Sequence, residues 1–145
     1  MTINPALAEL QPFVGQWRTE LYNASFLPDV DTRATGSMLV EWIEDGSALI
    51  MRQGDFTRPP AAAWIIGRDE SESEYSVFYF DDRGVSRIYR MSLDDSQWKM
   101  WRHAPGLTQR FTARLESGAI RGWWEKSLDQ GATWEHDFNI DYMRD

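Results

Sequence analysis

The chain has 145 residues, enough for one domain over 1–145 with a single core, and too few for a TIM barrel or a propeller of several blades. A formal charge of −8 repels phosphate backbones, so no nucleic-acid partner is expected. The aromatic content of 14% excludes a disordered segment, and the absence of cysteine excludes disulfides, thiolate nucleophiles and Cys-type zinc sites.

The opening Met1-Thr2-Ile3-Asn4-Pro5 lacks a basic n-region and an apolar h-region, and no apolar run approaches the ~20 residues that cross a bilayer. The expected compartment is therefore the cytoplasm, with no membrane partner. Asn4-Pro5 reads as a helix start, Asn as N-cap and Pro at the first helical position. One or two turns over Ala6 to Leu10 should follow, ended by Pro12.

Beyond that point the chain is a string of short segments rich in Trp, Tyr, Phe, Val, Ile and Thr. The predicted strands are about 14–22, 34–43, 47–53, 61–67, 74–80, 84–93, 97–103, 108–115, 119–127 and 133–143. Between them stand turn sequences such as Glu44-Asp45-Gly46, Asp94-Asp95-Ser96, Glu116-Ser117-Gly118 and Asp129-Gln130-Gly131. Connections this short force antiparallel neighbours, and a meander of about ten strands hides its edges by closing. The predicted fold class is all-β: an up-and-down antiparallel β-barrel with a short N-terminal helix, wide enough to enclose a small-molecule cavity. The longer connection from Asn23 to Thr35 is the candidate portal.

Alternation sorts the faces. Trp134, His136, Phe138, Ile140 and Tyr142 share one face of the last strand, and Glu135, Asp137, Asn139 and Asp141 share the other. Val85, Arg87, Tyr89, Met91 and Leu93 are expected inside, as are Phe111, Ala113 and Leu115, and Met38, Val40 and Trp42. The segment 97–103 is ambiguous, because Trp98 and Trp101 lie on opposite faces. Inward polar groups need partners, water or a ligand, since an unsatisfied buried group costs about 1–3 kcal/mol. The candidate ligand-binding set is therefore Trp42, Tyr89, Phe111 and Phe138 as walls, with Arg87 or His136 as polar handle.

Gly15-Gln16-Trp17 after the short helix resembles the G-x-W signature of lipocalins and their calycin relatives. That resemblance implies that Trp17 plugs one end of the barrel and that Arg144, late in the last strand, packs across it. Phe13-Val14-Gly15-Gln16-Trp17, the stretch from Asp82 to Tyr89, Met91-Ser92-Leu93, Gln109-Arg110-Phe111-Thr112 and Trp124-Glu125-Lys126-Ser127 are similar to a bacterial family of small lipocalin-like proteins. The likeness covers nearly the whole chain and implies a barrel with an internal pocket. Fatty-acid-binding proteins hold a carboxylate with an Arg-x-Tyr pair on the last strand. Arg87-Ile88-Tyr89 has that spacing in a middle strand, while Ile140 stands two residues before Tyr142. Nitrobindin-type barrels hold haem through a histidine near the C-terminal end, where His136 stands, but the glycines of their opening motif are missing here.

Ser127-Leu128-Asp129-Gln130-Gly131-Ala132-Thr133-Trp134 fits the Asp-box pattern, a hairpin device in which Asp129 caps the turn, Gly131 supplies an unusual φ and Trp134 anchors the return strand. No G-x-S-x-G elbow, H-E-x-x-H, P-loop or G-x-G-x-x-G is present. His103, His136 and Glu125 could form a metal site only if closure of the barrel joined them, and no metal or other cofactor is expected. Of the basic residues 13 are Arg and two, Lys99 and Lys126, are Lys; cross-strand pairing with Asp and Glu explains the bias more simply than a pocket for an anion. The leading expectation is a barrel that binds a small hydrophobic or amphipathic molecule, an anionic one among the candidates. The alternatives are an enzyme with His136 as acid–base, a haem-binding barrel, and a ligand-free structural domain that pairs as a homodimer.

Overall fold

The computed structural model describes residues 1–54 and 59–145. Ten antiparallel strands run in chain order: β1 Gly15–Tyr22, β2 Ala34–Ile43, β3 Ala48–Gln53, β4 Ala62–Gly67, β5 Tyr75–Asp81, β6 Ser86–Asp94, β7 Gln97–Arg102, β8 Thr108–Glu116, β9 Ala119–Ser127 and β10 Glu135–Arg144. Each pairs with its sequence neighbour, and β1 also pairs with β10, so the meander closes into a barrel. No helix among the described residues is long and apolar enough to cross a membrane.

The turns carry the geometry their sequences suggest. Asp95 and Ser96 between β6 and β7 both have positive φ (49° and 65°), the two-residue turn whose twist matches that of paired strands. Such conformations favour Asp, Asn and Gly because their side chains relieve or avoid the Cβ clash.

Closure of one end begins with Asn4, whose side chain accepts a hydrogen bond from the Ala6 N–H at 3.1 Å. The helix it caps differs from expectation: it is a 3-10 helix over Pro5–Phe13, and Pro12 lies inside it. The apolar residues explain the winding. Leu7, Leu10 and Phe13 recur every three residues, the period of a 3-10 helix, so this form puts all of them on one buried stripe. The free carbonyls at its C-terminal end find donors in distant elements. Trp17 Nε1 donates to the Phe13 carbonyl at 2.8 Å, and Arg144 donates from Nη1 to the Val14 carbonyl at 2.7 Å and from Nη2 to the Pro12 carbonyl. The Arg144 guanidinium stacks over the Trp17 indole at 3.9 Å. Gly15 makes room for this stack; its φ is +129°, and a Cβ there would stand 2.5 Å from Arg144 Nη1. Arg144 thus packs across Trp17 at the helix end of the barrel.

Inside the helix end the core is aromatic and close-packed. Phe13 meets Trp98 edge-on at 5.0 Å, Trp98 meets Phe111 at 4.8 Å, and Phe111 meets Trp124 at 5.0 Å. Trp98 is inside and Trp101 only half-buried, which resolves the ambiguous strand. Gly122 lies under the Phe111 ring and leaves the space a side chain would fill. On the outer wall Ile50, Ile65, Phe78 and Ile88 form a row of cross-strand neighbours over β3–β6.

The turn between β9 and β10 is built around Asp129. Its carboxylate accepts from the Thr133 N–H at 2.8 Å, the Thr133 hydroxyl at 2.5 Å and the Ser127 hydroxyl at 2.7 Å; Gly131, with φ +94°, donates its N–H to Ser127 Oγ at 2.8 Å. These bonds, led by the Thr133 hydroxyl, hold the Asp129 pKa down at about 2. A carboxylate depressed on folding stabilises the native state above its unfolded pKa near 4 and loses that contribution as pH falls through its folded value. Asp129→Asn should therefore lower the melting temperature at pH 6, and the gap to wild type should shrink as pH falls from about 4 to about 2. A gap independent of pH over that range would mean that ionisation of Asp129 has no part in holding the turn.

Candidate functional site

Opposite the helix the barrel is not filled. A cavity of about 490 Å³ occupies that half, within the range of small-molecule sites. It reaches the surface, since Phe26 and Leu128 line it and are exposed by 61% and 65%. Phe26 comes from the long connection after β1, the expected portal, and packs edge-on against Phe138 at 5.7 Å. Trp64, Tyr79, Tyr89 and Trp124 continue the aromatic wall inward, with Trp64 and Tyr79 ring centres 5.0 Å apart and Tyr89 and Trp124 at 5.6 Å.

Of the residues proposed from sequence, Arg87, Tyr89 and Phe138 line this cavity. Phe111 does not; it is 1% exposed in the solid core beneath. Trp42 is inward but sits at the opposite end, its Nε1 donating to Gln11 Oε1 of the helix at 2.9 Å. His136 and Trp134 correct the face assigned to them. A bulge in β10 places His136 opposite Glu125 and Phe138 opposite Trp124, with Asp137 as the extra residue. One inserted residue reverses alternation on its far side. Phe138, Ile140 and Tyr142 therefore face in as expected, Asp137 lines the cavity, and His136 is exposed with its Nε2 3.4 Å from Asn23 Nδ2. Trp134 lies under the outward Arg110 guanidinium at 3.9 Å, where it anchors the Asp129 turn.

This removes the residue on which the haem-binding and acid–base alternatives relied. Glu125 is held on the outer surface by Arg110 at 2.9 and 3.0 Å, and no cluster among the described residues could hold a metal ion.

The polar groups of the cavity are mostly donors and cations. At the rim Tyr79 donates its hydroxyl to Asp81 Oδ2 at 2.6 Å, and Arg83 pairs with the same oxygen at 2.6 Å. Burial first, and the Asp81 carboxylate second, push the Tyr79 pKa up to about 12, while Arg83 and Tyr79 together hold Asp81 well below the usual carboxylate range. Lys126 lies 3.8 Å from Asp137. Arg87 differs from these cations: among the described residues no carboxylate comes within salt-bridge distance.

Sequence reasoning missed Arg102. Trp98, Met100 and Arg102 alternate along β7, and the first two are buried, so Arg102 begins inward and half-buried; it acts on the Tyr89 hydroxyl without being one of the residues that line the cavity. It too lacks a carboxylate partner among the described residues. The Tyr89 hydroxyl donates to Gln109 Oε1 at 2.9 Å. Burial raises the Tyr89 pKa, and the guanidinium groups of Arg87 and Arg102 act against that rise. Two uncompensated cations thus flank one buried phenol.

No family model matches the chain, and no curated protein matches it.

Proposed function

We propose that the protein is a binding barrel for a small amphipathic anion, whose acidic group pairs with Arg87 and Arg102 at the Tyr89 hydroxyl while its apolar body lies along Trp64, Trp124 and Phe138. The observation that carries this reading is Arg87, which lines an aromatic cavity of about 490 Å³ and has no carboxylate partner among the described residues, with Arg102 behind it at the same Tyr89 hydroxyl. Guanidinium groups held half-buried are costly without a counter-charge, and a carboxylate fits their planar donor fork. The chain has a net charge of −8, so this cationic pair stands out against its own surface. The resemblance to lipocalin-like barrels supports the same reading, because there too a plugged end leaves a pocket at the other.

The test is displacement of an anilinonaphthalenesulfonate probe by decanoate. A saturable fluorescence rise with one probe per chain, reversed by decanoate and less so by decanol, is expected. A probe that does not bind saturably, or that both competitors displace equally, would overturn the reading.

A further inference from the structure

A phenol has one proton to donate, and at Tyr89 that proton goes to Gln109 Oε1 at 2.9 Å. The guanidinium groups of Arg87 and Arg102 turn their donors toward the same hydroxyl oxygen. These neighbours fix which way the Gln109 carboxamide is turned. A flipped amide would set N–H donors against an oxygen already faced by two cations, and would leave the phenol proton without an acceptor.

With Oε1 engaged, the Nε2 end of Gln109 is left over. It donates to no described residue and, unlike Trp64 Nε1 and Trp98 Nε1, it is not shut off from solvent. Gln109 is only 8% exposed and lines the cavity, so the surface its Nε2 keeps is cavity surface. Register shows why a neutral amide suits this place. Gln109 pairs with Arg102 on β7 and with Lys126 on β9, a cation on either side. A glutamate there would offset the positive charge on which an anion depends, whereas glutamine keeps an acceptor for Tyr89 and adds a donor.

We infer that Gln109 is a specificity-determining residue of the anion site: its Nε2 donates to one oxygen of the ligand's carboxylate while Arg87 holds the other, and Tyr89 positions it by fixing the turn of the amide. The inference rests on the anion-binding reading and deepens it. The ligand class it selects is the free carboxylate, whose two oxygens both accept; the amide of the same length offers one oxygen and no charge.

The experiment titrates decanoate into the intact, isotope-labelled protein and follows the Gln109 side-chain N–H resonances, assigned through its backbone. One of the two should shift downfield as decanoate binds, a readout in the wild-type chain that stands even if a variant folds poorly. By calorimetry, Gln109→Leu should weaken decanoate by about ten-fold and decanamide by less, since a hydrogen bond to a charged acceptor contributes more than one to a neutral acceptor. Gln109→Glu, which keeps the acceptor for Tyr89, should weaken decanoate further. In Tyr89→Phe the downfield shift of the Gln109 N–H should shrink, because the amide is free to turn; a role for Tyr89 in packing alone would leave that shift unchanged and overturn its positioning role. Gln109 resonances that stay in place while decanoate binds, or equal losses for decanoate and decanamide in Gln109→Leu, would overturn the inference and leave Arg87 as the partner of the anion. Failure of decanoate to bind would overturn both readings.

Discussion

Arg87→Ala should weaken decanoate binding by roughly ten- to a hundred-fold and leave decanol binding nearly unchanged. A hydrogen bond to a charged partner contributes about 1.5–3 kcal/mol, and each ~1.4 kcal/mol is a factor of ten in affinity. Arg87 has no carboxylate to release among the described residues, so its removal strands no acidic partner. That separates it from Arg83, whose loss would free Asp81 beside the Tyr79 hydroxyl. Arg87→Lys is the informative companion, because it keeps the charge and loses the planar fork; an intermediate affinity is expected. Arg102→Ala should act on the same carboxylate, so the double substitution should cost less than the sum of the two. Equal losses for decanoate and decanol in Arg87→Ala would show that Arg87 shapes the wall without meeting a charge.

Most of the barrel was legible because its strands obey one rule, alternation with a period of two, and its turns announce themselves with Asp and Gly. Val85 to Leu93 and Phe111 to Leu115 were sorted correctly for that reason. The two misassigned faces, those of Trp134 and His136, have one physical origin: a single residue that breaks the period. In β10 the bulged Asp137 reverses every side chain before it, and nothing in Trp134-Glu135-His136-Asp137-Phe138 marks it, since a bulge is fixed by the register of the partner strand. The result moved His136 out of the site and Asp137 into it. The short N-terminal helix was legible, but it runs past Pro12 to Phe13, and the three-residue spacing of Leu7, Leu10 and Phe13 was the available signal for that extent.

The site itself was half legible. Arg87 and Tyr89 follow from alternation alone. Arg102 was hidden because Trp98 and Trp101 give β7 two competing apolar faces, and only packing against Leu93 and Ala113 decides between them. Trp42 and Phe111 were assigned the correct face and the wrong height. Alternation says which side of a sheet a residue faces; it is silent on how far along the barrel axis the filled core ends and the open cavity begins. That level is set by the helix, whose Phe13 ring reaches Trp98.

The boundary between core and cavity yields the largest expected effect on stability. Phe111→Ala should cost about 3–5 kcal/mol, a large share of the total for a domain of this size. Phe111 is 1% exposed, with Trp98 and Trp124 rings against it at 4.8 and 5.0 Å, so no neighbour can move into the space without breaking an aromatic contact. Gly122 makes the prediction specific. A Cβ at that position would lie 2.7 Å and 2.8 Å from two atoms of the Phe111 ring. Gly122→Ala in the wild-type chain should therefore destabilise by overpacking, by about 1–3 kcal/mol. In the Phe111→Ala chain the ring clash is gone and only the Ala113 Cβ, 3.0 Å away, still crowds the methyl group, while the usual weakness of glycine within a strand is relieved, so Gly122→Ala should cost much less there than in the wild-type chain. Urea unfolding of the four chains closes a double-mutant cycle, and a coupling of at least ~1 kcal/mol is expected. Additive losses would mean that the ring and Gly122 are not in contact, and that the solid floor of the cavity lies elsewhere.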